Sequence, residues 1–303
     1  MRKKLLKKTK VLAIVGPNAS GKSALAVRLA RRFSGEVISA DSRQVYRGLD
    51  IGTGKITRRE MRGIPHHLLD IANPRKSYSA GHYAKDATQA LRYIVVKGRL
   101  PIFCGGTGFY IDAALGTVSL PEVPPNTHVR KQLAKKSASE LFALLKKLDP
   151  ARARTIDRHN PVRLVRAIEI AKAIGSVPRP RAERRYDILK IGIRLPEREL
   201  KRRIRARLAA RMRDGLVAEA KRLHAKGLSW KRMEELGLEY HYLSQYLQKK
   251  ITRDELLRYI VVESLRYAKR QMRWFRRDHS INWFNTPQSK NIQNIIKSFL
   301  SRV

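Results

Sequence analysis

The chain holds a single thiol, Cys104, among its 303 residues. One thiol excludes an internal disulfide and any zinc site built on cysteines. The histidines do not fill the gap. None of the eight shows metal-ligand spacing, and the adjacent pair His66-His67 reads as structural. Acid is also scarce, with 25 Asp and Glu against 66 Lys and Arg, a net charge of +41. A protein that handles only small metabolites has no need of such an excess. A polyanion such as nucleic acid explains it, because each neutralised phosphate releases counterions. Long apolar runs are missing as well. After the basic segment Met1–Lys8, the stretch Val11–Val15 ends at Gly16-Pro17. It is too short for a signal-peptide core or a membrane span, so a cytoplasmic enzyme with no membrane partner is expected. There is no internal repeat and no low-complexity tract. Apolar residues still make up 43%, enough for a real core.

The most informative segment is Gly16-Pro17-Asn18-Ala19-Ser20-Gly21-Lys22-Ser23, which fits the phosphate-loop pattern G-x-x-x-x-G-K-[ST]. The apolar run before it reads as a buried strand, and Ala24–Phe33 after it as an amphipathic helix. Backbone N–H groups at such a helix start, with the Lys22 charge, form a seat for a diphosphate or triphosphate. Ser23 stands where a magnesium ligand is expected.

Further strands are expected at Glu36–Ala40, Leu100–Cys104 and Tyr186–Ile193, with helical spacing over Ser79–Gly98 and from Gly108 to Leu115. Residues 43–78 read as loops with short helices. The alternation predicts an α/β fold, a P-loop NTPase-like parallel sheet flanked by helices. Only helical segments are expected between Pro121 and about Arg185 (Val129–Lys136, Ser139–Lys147, Pro161–Ala173). The expected domains are therefore a core over 1–119, an inserted all-helical domain over 120–185, and the resumed, mostly helical core over 186–303.

Asp41 follows the second strand and Thr107 the third, so Lys22, Asp41 and Thr107 are expected in one crevice at the strand ends. Three basic clusters stand out: Arg152 to Arg166; Lys201 to Arg213, which contains no acid; and Arg266 to Arg277, interleaved with Tyr267, Trp274 and Phe275. Together they favour an RNA surface. These features alone leave open an RNA-modifying enzyme, a small-molecule or nucleoside kinase using ATP, and an RNA-binding protein.

The sequence resembles the tRNA dimethylallyltransferases of bacterial type. The resemblance rests on the phosphate loop, Ser39–Lys55 (SADSRQVYRGLDIGTGK), Pro65–Asp70, Gly105–Tyr110 (GGTGFY), Asn160–Ala167 (NPVRLVRA) and Ala268–Phe275 (AKRQMRWF). These blocks occur in family order over nearly the whole chain. Asn18 departs from the family's usual threonine and is expected to matter little. Residues 237–241 match only loosely. The resemblance implies transfer of a dimethylallyl group from its diphosphate to N6 of the adenine beside the tRNA anticodon. It implies magnesium as cofactor, the tRNA anticodon stem-loop and dimethylallyl diphosphate as partners, and a monomer. Asp41 would be general base, Thr107 would bond a diphosphate oxygen, and Lys22 with residues 16–23 would hold the diphosphate. Arg203 or Arg207, one helical turn apart, would join them. Ser42, Arg43, Gln44 and Val45, with Val162, Arg163, Leu164, Val165 and Arg166, match blocks that contact tRNA.

Overall fold

A computed structural model describes residues 8–118, 120–178 and 185–302. The basic N-terminal segment before Lys8 and the expected domain boundary at Ser119 lie outside the described residues. The six strands are β1 (Thr9–Val15), β2 (Gly35–Ser39), β3 (His66–His67), β4 (Leu100–Gly105), β5 (Tyr186–Ile193) and β6 (Ile281–Phe284). The helices are α1 (Lys22–Arg32), α2 (Arg58–Met61), α3 (Ala80–Val96), α4 (Gly108–Ala114), α5 (Thr127–Leu133), α6 (Ala138–Leu148) and α7 (Pro150–Ala153). They continue with α8 (Pro161–Ile174), α9 (Glu197–Arg213), α10 (Leu216–Ala225), α11 (Trp230–Leu236), α12 (Leu238–Leu247), α13 (Arg253–Phe275) and α14 (Lys290–Ser301).

The strands form one sheet in the order β3-β2-β4-β1-β5-β6, parallel throughout. A parallel sheet is covered on both faces, so its central strands are apolar without alternation. Strand β1 shows both sides of this. Val11, Ala13 and Val15 join one core with Tyr83, Leu91 and Ile94 of α3 and Tyr110 of α4. Leu12 and Ile14 join the other, against Leu25 and Leu29 of α1 and Ile292 and Ile296 of α14.

The edge strands β3 and β6 were not anticipated. Each is short, and neither carries a long apolar run. His66 and His67 pair with Val37 and Ile38, and the His67 ring nitrogen lies 2.7 Å from Glu36 Oε2. That pair has a structural role, as expected. Residues 281–284 pair with Lys190 to Ile193 of β5.

The described residues fall into two compact units, one holding residues 8–116 with 185–302 and one holding 117–118 with 120–178. The second unit holds α5–α8 around Leu141, Leu145, Leu164 and Ile168. Its buried Glu169 accepts from Asn126 N (2.6 Å), Arg130 Nε (2.9 Å) and Arg166 Nη1 (2.5 Å). Burial opposes ionisation, but Arg130 and Arg166 hold the carboxyl down to about 2.

In the first unit a buried acid organises a loop. Glu219 on α10 is 3% exposed. It accepts from the main-chain N–H groups of Asp50 (3.0 Å), Ile51 (2.7 Å) and Gly52 (3.0 Å) and from the Tyr240 hydroxyl (2.6 Å). Glu219→Ala strands four donors at once. We expect it to lower the unfolding free energy by about 3 kcal/mol or more, read from urea denaturation; a loss under about 1 kcal/mol contradicts this role.

Candidate active site

Strands β2, β4 and β1 are neighbours in the sheet, so the loops at their carboxyl ends meet. Those loops are 16–21, 40–44 and 105–107. They border a cleft of about 390 Å³ whose walls include Lys22, Ser23, Asp41, Gln44, Gly106 and Arg207. Two glycines allow the close approach. A Cβ at Gly16 would lie 2.3 Å from the Ile193 carbonyl oxygen, and one at Gly105 would lie 2.0 Å from that of Ala40.

The phosphate loop brings α1 in two residues earlier than the sequence pattern suggests, because Gly21 caps the helix in a left-handed conformation (φ 92°, ψ 14°). No side chain caps this N-terminus and no acid lies in its first turn, so its N–H groups stay available to an anion. Of the motif, Asn18, Ala19, Gly21, Lys22 and Ser23 line the cleft, whereas Gly16, Pro17 and Ser20 do not. Ser20 is fully buried, and its hydroxyl has no hydrogen-bond partner among the described residues. Lys22 Nζ donates to the Pro17 carbonyl (2.5 Å). Burial, reinforced by Arg207, lowers the Lys22 pKa to about 8, against the pull of Asp41. The Cys104 thiol beside it is pushed up to about 11 by burial.

One face of α9 carries Arg203, Arg207 and Arg211 at four-residue spacing, and all three reach the cleft. Their partners differ. Arg203 Nε donates to Glu199 Oε1 (2.6 Å), and Arg211 Nη1 to Glu239 Oε1 (2.7 Å) and the Gly52 carbonyl (3.1 Å). Arg207 has no carboxylate partner among the described residues. Burial and Arg211 lower its pKa. Arg211 was not singled out from the sequence, although extending the Arg203–Arg207 spacing by one turn reaches it.

Asp41 sits in a tight turn. Its Oδ1 accepts from Arg43 N (2.8 Å) and Gln44 N (3.3 Å), and no described residue donates to Oδ2. Thr107 occupies the N-cap position of α4 but makes no cap bond. Its hydroxyl accepts from Ser42 N (3.1 Å) and lies beside the Tyr267 hydroxyl. Thr107 therefore stands behind Asp41 and is not part of the cleft wall; only Lys22 and Asp41 of the three expected groups line it.

Other expectations change too. Asn18 is not inert: its N–H donates to Gln271 Oε1 (2.9 Å) and its Oδ1 accepts from Gln271 Nε2 (3.2 Å). The second basic cluster is acid-free only by its bounds, since Glu199 just before it pairs with Arg202 and Arg203. In the third, Phe275 is buried and Trp274 Nε1 donates to Asp112 Oδ2 (2.8 Å). Phe275 serves the interior, while half-buried Trp274 is held by Asp112. Tyr240, in the loosely matching block, is buried against Glu219.

Among the expected tRNA residues, Ser42, Arg43 and Gln44 are partly exposed while Val45 is buried. In the second unit Val162 is 79% exposed and Arg163 is exposed. Leu164 is fully buried in that unit's core, because position 164 faces inward on α8. Val165 is half-buried. Arg166 is committed to Glu169 and to the Val123 carbonyl (2.7 Å).

The sequence profile of the IPP transferase family matches residues 44–278. The tRNA dimethylallyltransferase of Roseiflexus sp. (strain RS-1) is 41% identical over 277 residues, 88% of this chain and 90% of that protein. That of Limosilactobacillus reuteri is 39% identical over 305 residues, 96% and 98% of the two. Among solved structures, the full-length tRNA isopentenylpyrophosphate transferase of Bacillus halodurans superposes with a TM-score of 0.73 at 37% identity, covering 97% of both chains. A eukaryotic dimethylallyltransferase acting on tRNA, 22% identical, shares the fold with a TM-score of 0.80 over 97% of this chain and 80% of its own.

Proposed function

The chain belongs to the IPP transferase family, and from that premise we propose the chemistry of its cleft. The protein is a tRNA dimethylallyltransferase. It transfers the dimethylallyl group of dimethylallyl diphosphate to N6 of the adenine 3′-adjacent to the anticodon, yielding N6-isopentenyladenosine and diphosphate. A kinase is not favoured. The observation that carries the proposal is the shared cleft: Lys22 and the uncapped start of α1 on one side, Asp41 with an open carboxylate oxygen on another, and Arg207 without an acid partner.

The adenine amine is a weak nucleophile because its lone pair is delocalised into the ring. The allylic C–O bond compensates, since it breaks toward a stabilised cation. Catalysis then consists of holding the leaving diphosphate and aiming the amine. Lys22, the N–H groups of residues 21–23 and Arg207 receive the diphosphate. Arg203 is already neutralised by Glu199, so Arg207 is the stronger anion ligand of the two. As the N–C bond forms, the amine proton passes to Asp41 Oδ2. Thr107 accepts the Ser42 N–H and so holds the Asp41 turn. The adenine reaches this cleft only if it leaves its stack. Ser42, Arg43 and Gln44 in the first unit, and separately Val162 and Arg163 in the second, meet the RNA; Leu164 and Arg166 support the second unit's exposed face from within.

Magnesium fits the donors present. Ser23 is exposed in the cleft beside Asp41. Magnesium keeps most of its waters and leans on substrate phosphates, so a single hydroxyl ligand such as Ser23 would suit it. Bound there, the ion neutralises charge on the departing diphosphate. Among the described residues no helix is long and apolar enough to cross a membrane.

Transfer of label from dimethylallyl diphosphate to an unmodified tRNA transcript tests this function. Absence of label on RNA, with ATP-dependent phosphorylation of a metabolite instead, would overturn it. A linked pH effect is also expected. With its pKa near 8, Lys22 is largely neutral in the free protein at pH 8.5, and an incoming anion restores its proton. Diphosphate binding at pH 8.5 therefore takes up a fraction of a proton, and the uptake fades as pH falls below the Lys22 pKa. Calorimetry in buffers of different ionisation heat measures this. Equal uptake in Lys22→Met rules Lys22 out as the source.

A further inference from the structure

Helix α13 presents three polar side chains at positions 267, 271 and 274. The spacing i, i+4, i+7 places them on one face, and each meets the segment that follows β4. Tyr267 places its hydroxyl beside Thr107. Trp274 donates to Asp112 (2.8 Å) and packs over Gly108, where a Cβ would lie 2.2 Å from its ring. Between them Gln271 is 4% exposed. Its Nε2 donates to the Gly106 carbonyl (3.0 Å) and to Asn18 Oδ1 (3.2 Å), and its Oε1 accepts from Asn18 N (2.9 Å). The amide can sit only this way round, because the Asn18 N–H is a donor and the Gly106 carbonyl an acceptor.

Gln271 thus ties together two loops with different tasks. Asn18 belongs to the phosphate loop. Gly106 precedes Thr107, which holds the turn of Asp41. Gly106 is glycine for the same reason: a Cβ there would lie 2.0 Å from Gln271 Nε2. Gln271 itself does not line the cleft, so it touches neither substrate.

We propose that Gln271 is a positioning residue that sets the spacing between the phosphate loop and the Gly106–Thr107 turn, and with it the distance from leaving diphosphate to attacking amine. This rests on the transferase reading. Misplacement by about 1 Å costs turnover by about 10²-fold while leaving each substrate's own contacts in place. Removing the tie therefore lowers kcat and spares affinity.

The test begins with single-turnover transfer by the unaltered protein; failure at that step indicts the transferase reading itself and takes the proposal with it. Given wild-type transfer, Gln271→Leu is expected to lower kcat by about 30- to 100-fold, with Kd for inorganic pyrophosphate and for tRNA within about threefold. Gln271→Glu adds a pH signature. At pH 8.5 its carboxylate faces two acceptor oxygens and kcat falls equally far. Near pH 6 the protonated carboxyl donates to Gly106, and kcat relative to wild type rises by about tenfold. Gly106→Ala drives a methyl group against Gln271 and gives the same selective loss of kcat, which keeps the test open if a Gln271 variant folds poorly. Folded variants with kcat within threefold of wild type overturn the proposal. So does pyrophosphate affinity falling in step with kcat.

Discussion

Asp41→Asn is expected to reduce turnover by about 10³-fold while tRNA affinity changes by less than about threefold. Asparagine is the informative replacement because it keeps the turn. Its Oδ1 can still accept from the N–H groups of Arg43 and Gln44, which Asp41 Oδ1 receives at 2.8 and 3.3 Å. What it loses is a basic oxygen at the Oδ2 position, where no described residue donates. The prenylated amine then has no place to leave its proton, and its lone pair is no longer aimed at the allylic carbon. A drop confined to turnover, seen by rapid quench with labelled donor and by filter binding of tRNA, separates a general base from a turn former. Turnover within threefold of wild type removes Asp41 from the mechanism.

The second large effect concerns the diphosphate. Lys22→Met is expected to lower kcat/KM for dimethylallyl diphosphate by about 10²- to 10³-fold, because a charge aimed at the leaving group is worth most in a cleft that excludes water. Lys22 is 8% exposed, and among the described residues its ammonium donates only to the Pro17 carbonyl. Arg207→Gln follows with a loss of about 10²-fold, and Arg203→Gln stays within about fivefold. The difference between the arginines comes from Glu199, which already neutralises Arg203 at 2.6 Å. Equal losses at 203 and 207 would refute that distinction, and a Lys22 variant with normal donor kinetics would refute the cradle.

Much of this protein can be read from residue order, and the limits follow from range. Strands β1, β2, β4 and β5 are visible because strands buried on both faces must be apolar at nearly every position. Strands β3 and β6 escape notice because His66-His67 and Ile281–Phe284 owe their shape to hydrogen bonds from β2 and β5, and no periodicity of their own records that. The phosphate loop is legible since its parts lie within eight residues. Arg203 and Arg207 stay equivalent in sequence; only the side chain that each one meets tells them apart. Asn18 looked dispensable because the atom that engages it, on Gln271, lies 253 positions away.

The order of residues alone determined the phosphate loop, the parallel sheet that carries it, and a surface charge suited to RNA, because helix starts, buried strands and net charge are properties of neighbours or of the whole. Which charges are spent on partners and which remain for a ligand was decided only in three dimensions. Among the described residues Arg207 stays without an acid and one oxygen of Asp41 stays open, while Thr107 is engaged by the Ser42 N–H. Pairing distances depend on segments far apart in the chain, and those become neighbours only when the two cores close over the sheet.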